Sequence, residues 1–259
     1  MKFFKISVSG LLQWVLFGSL TLPSLLVKAS DENFEALVAA ENIAILSQSI
    51  VKNYFYMGNN LNSSASEKKL SEEVRKIDGS LALLADSSGY KNIQDDFEFV
   101  EMIWSDFKDS LLEPYSRDNG LLIIDMGEVM LEGSENLVGV LRGNGVKDGD
   151  RVSDVELQRY LIERMAKLYI VSIAGLKDFN VEKQMKLAVK NFDDGMRKIE
   201  DQSYPQDVSV KVNRLRQRWD ASQDYYLNVK EGDLPKTVFF NTEIIERYLI
   251  SILNYYKNR

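Results

Sequence analysis

Few side chains in this sequence are of the types that enzymes use for covalent or metal chemistry. The 259 residues contain no cysteine and no histidine, which excludes disulfides, thiolate and imidazole metal sites and a Ser-His-Asp triad. Acidic pairs occur at Asp95-Asp96 and Asp193-Asp194. Adjacent residues on a helix point about 100° apart, so neither pair converges for general acid and base catalysis. We therefore expect no catalytic residue, no cofactor and no metal site, and a protein that is not an enzyme.

A single offset of 115 residues relates the two halves of the chain. It pairs Trp104 with Trp219 and recurs without a gap over most of the sequence. Other pairs at this offset are Glu41 and Glu156, Leu46 and Leu161, Lys52 and Lys167, Tyr54 and Tyr169, Val74 and Val189, Asp78 and Asp193, and Glu128 and Glu243. The offset predicts one repeat over residues 30–144 and a second over residues 145–259, joined by a linker at Gly143-Asn144-Gly145.

Each repeat divides into four helical segments, A to D. In segments B and C the apolar residues follow a 4-3 spacing in both repeats, as on a helix with one buried face. The B positions are Leu70, Val74, Ile77, Leu81 and Leu84, matched by Met185, Val189, Phe192, Met196 and Ile199. The C positions are Ile93, Phe97, Val100, Trp104 and Phe107, matched by Val208, Val212, Leu215 and Trp219 until Ser222 breaks the pattern. Both tryptophans are thus predicted core residues.

The segment boundaries and lengths predict an all-α fold made of two tandem up-down four-helix bundles. Serine-led capping boxes at residues 64–67 and 153–156 predict the starts of segment B in the first repeat and of segment A in the second. The three prolines after the N-terminal region, Pro114, Pro205 and Pro235, fall between helices or in a first turn.

Residues 1–29 have the features of a cleaved signal peptide. Lys2 and Lys5 precede an apolar stretch, which polar residues interrupt too often for a membrane anchor and which Lys28 closes. We therefore expect a periplasmic protein with no membrane span after cleavage. The mature chain has 29 basic and 39 acidic residues, a net charge of −10. This charge disfavours nucleic acid and anionic lipid as partners.

The A segments carry the motif that resembles a known family. They read AILSQSIVKNY over residues 44–54 and RYLIERMAKLY over residues 159–169. Together they resemble two diverged copies of the Arg-Met-Leu-Ser-Gln-Arg-Met-Ala-Lys-x-Tyr helix of the type IV pilus methyl-accepting chemotaxis transducer N-terminal domain. That domain is similar to the periplasmic sensor domain of nitrate/nitrite histidine kinases. The resemblance implies an extracytoplasmic, all-helical sensory domain.

The resemblance also implies a ligand site on the A segments. In the nitrate sensors the arginine that opens the motif binds the anion between two protomers, and Arg159 is the matching position. The candidate ligand-binding residues are Arg159, Arg164, Lys167, Ser47, Gln48 and Lys52. Neither copy is complete: Ala44 and Ser49 replace the two arginines in the first repeat, and Ile162-Glu163 replaces the Ser-Gln pair in the second.

Helical geometry makes a separate prediction for the charged candidates. Arg159 lies about 200° around the helix from the seam that begins at Leu161, so it points away from the core of its own repeat. An outward arginine is expected to be solvated. Lys52 and Lys167 are expected to cover apolar surface with their stems while their ammonium groups stay in water.

Two function hypotheses follow. The first is a soluble periplasmic sensory-type helical module that binds a small anion or docks on a membrane receptor. It lacks the output domain into which family members continue, so any response would pass through a partner. The alternative is a structural or assembly scaffold of the cell envelope or pilus machinery with no small-molecule ligand. The ligand, the partner and the oligomeric state are open, as is side-by-side or end-to-end packing of the repeats; side by side, Arg159 would lie near Ala44.

Overall fold

The protein is helical throughout the part that the structure describes. The computed structural model describes residues 22–87, 89–143, 149–176, 179–227 and 234–258, and no strand occurs among them. The helices are α1 (Leu22–Gly58), α2 (Ser63–Ala85), α3 (Tyr90–Leu112), α4 (Arg117–Arg142), α5 (Gly149–Ile173), α6 (Phe179–Glu200), α7 (Gln206–Asp220), α8 (Gln223–Leu227) and α9 (Pro235–Lys257). The predicted all-α fold class is confirmed.

The helices of the second half correspond to those of the first half at the 115-residue offset found in the sequence. Shifted by 115 residues, α2 ends where α6 ends and α4 ends where α9 ends. Helix α3 corresponds to α7 and α8 together, because the chain turns at Ala221-Ser222. The boundary between the repeats falls between α4 and α5, where residues 144–148 of the predicted linker lie outside the described residues.

The predicted apolar seams lie in two hydrophobic clusters, one formed mainly by α1 to α4 and the other by α5 to α9. Every predicted position of segment C is buried in both repeats. In segment B, Leu70 and Val74 are only partly buried and the other positions are buried. Trp104 and Trp219 are core residues, as predicted, and the indole nitrogen of Trp104 donates to Asp78 at 2.8 Å.

The two A segments, α1 and α5, lie against each other. Helix α1 also contacts α2 and α4, and α5 also contacts α6 and α9. The structure therefore has the side-by-side arrangement, with a long helix of each repeat at the centre. Sixteen residues of α5 are buried, and they lie on all of its faces. The closure of each repeat into a separate up-down bundle stays a prediction.

Helix α1 begins at Leu22, upstream of the predicted cleavage site, and residues 1–21 of the predicted signal peptide lie outside the described residues. By length and composition alone, its Glu32–Gly58 stretch is long and apolar enough to cross a membrane. Core helices of soluble proteins and signal sequences share that composition, and 78% of the apolar window in this stretch is buried within the protein.

Both predicted capping boxes are wrong. Helix α5 begins at Gly149, so Ser153 already lies inside it, and the Ser153 hydroxyl donates to Glu41 of α1 at 2.5 Å. Helix α2 begins at Ser63 after Asn62, whose backbone is left-handed and whose side chain makes no capping bond. A tertiary partner thus uses the serine that the sequence pattern assigned to a helix end.

Close approach of α1 and α4 requires a glycine at position 127. A Cβ atom there would lie 2.5 Å from a methyl group of Val51 and 3.4 Å from the Ser47 carbonyl oxygen. We predict that Gly127→Ala lowers the free energy of unfolding by about 1 to 3 kcal/mol, because the two helices must move apart. Gly139→Ala is the matched control on the same helix, where a Cβ would meet nothing within 4 Å, and it should stabilise by about 0.5 to 1 kcal/mol. Urea denaturation measures both, and equal stability of the two variants would contradict the prediction.

Candidate functional site

The six predicted ligand-binding residues lie along the line where α1 and α5 meet. Ser47, Gln48 and Lys52 belong to α1, and Arg159, Arg164 and Lys167 belong to α5. Gln48 joins the two helices, because its amide oxygen accepts from Arg164 at 3.3 Å. Its amide nitrogen donates to the Ser47 hydroxyl of the same helix at 3.2 Å. The cationic side chains do not converge on one point. Glutamates hold them in three separate groups.

Two of these groups are related by the repeat. The Lys52 ammonium contacts Glu243 of the second repeat at 3.3 Å, and the Lys167 ammonium forms an ion pair with Glu128 of the first repeat. The 115-residue offset converts one pair into the other. Reciprocal contacts of this kind are the mark of a two-fold interface, in which each side offers the other the same residues. The α1–α5 interface is therefore a pseudo-two-fold interface within one chain.

Lys52 is fully buried, so its predicted solvation is wrong. Its ammonium lies 2.7 Å from a carboxylate oxygen of Glu163 and 5.4 Å from the centre of the Phe239 ring. Burial opposes its charge, but Glu163 and Glu243 outweigh burial and raise the pKa of Lys52. Glu243 has a second cationic partner in Lys69 of α2. Lys52 thus holds α5 and α9 against α1 as a charged group.

Lys167 is also buried, contrary to the prediction, but it has fewer partners than Lys52. Burial lowers the pKa of Lys167 to about 8, against the attraction of Glu128. Arg164 lies beside the seam as expected and donates to Glu128 at 3.1 Å and to Gln184 at 3.0 Å. Burial opposes the charge of Glu128, but Lys167 and Arg164 outweigh it and lower its pKa.

Arg159 is buried, and the prediction that it is solvated is wrong. Its side chain is 8% exposed. Its Nε and one terminal nitrogen donate to the same oxygen of Glu246, at 2.9 and 2.7 Å, and the other terminal nitrogen donates to Glu156 at 2.6 Å and to Asn42 at 3.0 Å. Arg159 does point away from the seam at Leu161. That direction faces α9 of its own repeat and α1 of the first repeat rather than water.

Sequence reasoning missed the buried acidic residues around the candidate site. Glu73 of α2 accepts from the Ser49 hydroxyl at 2.6 Å and from the Asn53 amide at 2.8 and 3.0 Å. Burial raises the pKa of Glu73 to about 7, although Lys52 lowers it. Glu41 and Glu156 are buried as well. The sequence shows that Glu41 and Glu156 are 115 residues apart, but this offset indicates only the repeat and not the burial of the two side chains.

Two grooves flank the α1–α5 interface. The groove that reaches Arg159, the arginine groove, has a volume of about 500 Å³ between α1, α2, α5 and α9. The second, the apolar groove, has a volume of about 340 Å³ between α1, α4 and α5. Both volumes are within the range of small-molecule sites. Of the six predicted ligand-binding residues, Arg159 lines the arginine groove, and none lines the apolar groove.

The pseudo-two-fold relates the two grooves, but their chemistry differs. Arg159 and Glu246 line the arginine groove, whereas the equivalent positions in the apolar groove are Ala44 and Leu131. Val138 of the apolar groove corresponds to Leu253 of the arginine groove. Divergence of two positions after duplication therefore places the buried arginine on one flank only.

No protein-family model matches the chain, and searches of curated proteins and of solved structures found no significant match. The resemblance of the A segments to the transducer domain therefore stays a prediction that rests on their own residues.

Because the pKa of Glu73 is raised in the folded state, ionising Glu73 destabilises the fold as pH rises from about 4.5 through about 7. We predict that Glu73→Gln leaves stability unchanged near pH 4.5 and raises the free energy of unfolding by about 1 to 3 kcal/mol near pH 8. Chemical denaturation across this pH range measures the difference. Glu72→Gln, a change at an exposed neighbour, is the control and should show no such pH dependence. A Glu73→Gln protein that is less stable than wild type at pH 8 contradicts the prediction.

Proposed function

We propose that this chain is a periplasmic binding module of the sensory type, exported by a cleaved signal peptide. In this proposal two four-helix bundles fused in one chain take the place of the two protomers of a single-repeat sensor. A binding role is preferred to a catalytic one, because the charged groups at the candidate site are paired with one another. The module would pass its response to a partner, such as a membrane receptor or another envelope protein.

The observation that carries this proposal is the reciprocal pairing of Lys52 with Glu243 and of Lys167 with Glu128. Reciprocity places the two A helices as two copies in a homodimer would place them. The family resemblance implies a ligand between the A helices of two protomers. In this chain the corresponding location is the α1–α5 interface, and both grooves open beside it.

Glu246 already occupies the position in which an anion would bind Arg159. One oxygen of Glu246 accepts from two nitrogens of the guanidinium, and Glu156 accepts from a third. These are charge-assisted hydrogen bonds of the kind that a nitrate or a carboxylate ligand would make. A small anion therefore binds in the arginine groove by displacing Glu246, and Glu246 sets the anion affinity of the module.

We predict that Glu246→Gln raises the apparent affinity of the protein for nitrate and nitrite at least tenfold, because Arg159 loses the carboxylate of Glu246 as its partner. Thermal-shift titrations against chloride at equal ionic strength measure this change. Arg159→Ala combined with Glu246→Gln should abolish the gain, and Glu135→Gln, an exposed change on α4, is the charge-matched control. If nitrate and nitrite stabilise neither wild type nor Glu246→Gln, the proposed anion binding is wrong. Docking on a membrane receptor or another envelope protein is then the remaining version of the proposal.

A second candidate function, an assembly scaffold, is favoured by the opposite charges of two equivalent helices. Helix α3 carries six acidic and two basic residues, whereas α7 carries four basic and two acidic residues. None of the six acidic residues of α3 forms an ion pair within the described residues, and Lys211, Arg214 and Arg218 of α7 form none there either. Phe99 and Met102 of α3 are 41% and 56% exposed. We infer that α3 of one copy can dock on α7 of the next, in a head-to-tail chain.

Charge-reversed variants test this assembly. We predict that wild type self-associates at low ionic strength and dissociates at high salt, because exposed charges are screened. Asp96→Lys/Glu101→Lys on α3 and Lys211→Glu/Arg214→Glu on α7 should each be monomeric. A mixture of the two variants should self-associate again, since α3 of each variant and α7 of the other remain opposite in charge at these positions. Sedimentation velocity measures all four samples, and a wild type that stays monomeric at low salt excludes the scaffold.

A further inference from the structure

The apolar groove ends at two buried carboxylates. Its walls come from α1, α4 and α5, and its apolar lining is formed by Ala44, Ile45, Leu131, Val138, Leu157 and the ring of Tyr160. Glu41 and Glu156, which the repeat makes equivalent, line the same groove and are 5% and 2% exposed. Arg142, which pairs with Glu41, and the exposed Glu135 line it as well. The groove therefore combines apolar walls with two acidic groups that water scarcely reaches.

Each of these carboxylates uses one oxygen and leaves the other without a partner. One oxygen of Glu41 accepts from Ser153 at 2.5 Å and from Arg142 at 3.2 Å, and one oxygen of Glu156 accepts from Arg159 at 2.6 Å. The second oxygen of each is buried and has no hydrogen-bond donor within the described residues. Buried acceptors without donors are rare in folded proteins, because they lose their hydration without compensation.

The two carboxylates are also close enough to repel each other. Burial raises the pKa of Glu156 to about 7, and the charge of Glu41 adds to that rise. The donors of Arg159 are directed at Glu156, Glu246 and Asn42. A cation that enters the groove would donate to the two free oxygens and relieve the repulsion.

We propose that the apolar groove binds a small organic cation, a primary ammonium group on a short apolar body. The ammonium donates hydrogen bonds to the free oxygens of Glu41 and Glu156, and the body lies against Ala44, Leu131 and Val138. A primary ammonium has three donors and no acceptor, which suits two acidic acceptors at the end of an apolar groove. Among the described residues no group of three or more acidic side chains is placed to hold a metal ion. This site differs from the arginine groove in the charge of its ligand, although the Arg159–Glu156 ion pair connects the two.

The test is a calorimetric titration of the full mature chain with n-butylammonium chloride near pH 8, above the pKa of about 7 to which burial raises Glu156. Sodium chloride at equal ionic strength and the uncharged alcohol 1-pentanol, which is one carbon longer, serve as ligand controls. We expect saturable binding of n-butylammonium, with no heat of binding from sodium chloride and at least tenfold weaker binding of 1-pentanol. Glu41→Gln and Glu156→Gln should each weaken n-butylammonium binding at least tenfold, because one charged acceptor becomes neutral.

Two further variants separate binding from folding. Glu135→Gln removes an exposed acidic group at the rim of the same groove and should leave the affinity within twofold. Ala44→Leu narrows the groove while keeping both carboxylates in the chain and should weaken binding at least tenfold. Each variant is first checked for wild-type helicity by circular dichroism. Absence of binding to wild type, equal binding of 1-pentanol, or full affinity in a folded Glu41→Gln or Ala44→Leu protein would each overturn the proposal.

Discussion

The pairing of α1 with α5 through buried charges is the constraint on which the rest of the structure depends. A buried lysine is tolerated only where carboxylates compensate its charge, and loss of one partner leaves an ion in a medium that solvates it poorly. Lys52 reaches α9 through Glu243, and Lys167 reaches α4 through Glu128. Because each pair joins one repeat to the other, the pairs fix four helices in one register. A shift along any of these helices would separate a buried ammonium group from its carboxylate partner.

Duplication explains why these pairs occur twice and why their environments differ. The lysines and their cross-repeat glutamates stand at equivalent positions, whereas Glu163, the extra partner of Lys52, stands where the first repeat has Gln48. Lys52 thus has two carboxylates within 3.3 Å and a raised pKa, while burial lowers the pKa of Lys167 to about 8. Differences at equivalent positions, among them Glu163 in place of Gln48 and Arg164 in place of Ser49, thus accompany opposite pKa shifts of two symmetry-related lysines.

The peripheral helices could be predicted from the sequence, and the central ones could not. Helices α2, α3, α6 and α7 bury one face, so their apolar residues recur with a helical period and their burial follows. Helices α1 and α5 are buried on several faces, and polar residues at those positions look like surface residues in the sequence. The direction of Arg159 relative to its own seam was right. The prediction of its environment was wrong, because α1 of the first repeat and Glu246 of α9 occupy the space that was expected to be solvent.

The same geometry gives a fused pair a freedom that a homodimer lacks. In a homodimer any residue at a groove appears on both flanks, so an arginine at one flank is matched by an arginine at the other. In this chain Arg159 and Glu246 line one groove, and the equivalent positions in the other groove are Ala44 and Leu131. One flank therefore carries a charged pair, whereas the other has an apolar surface with two nearly buried glutamates. Two grooves of equivalent position can differ in this way because each repeat of a single chain has its own sequence.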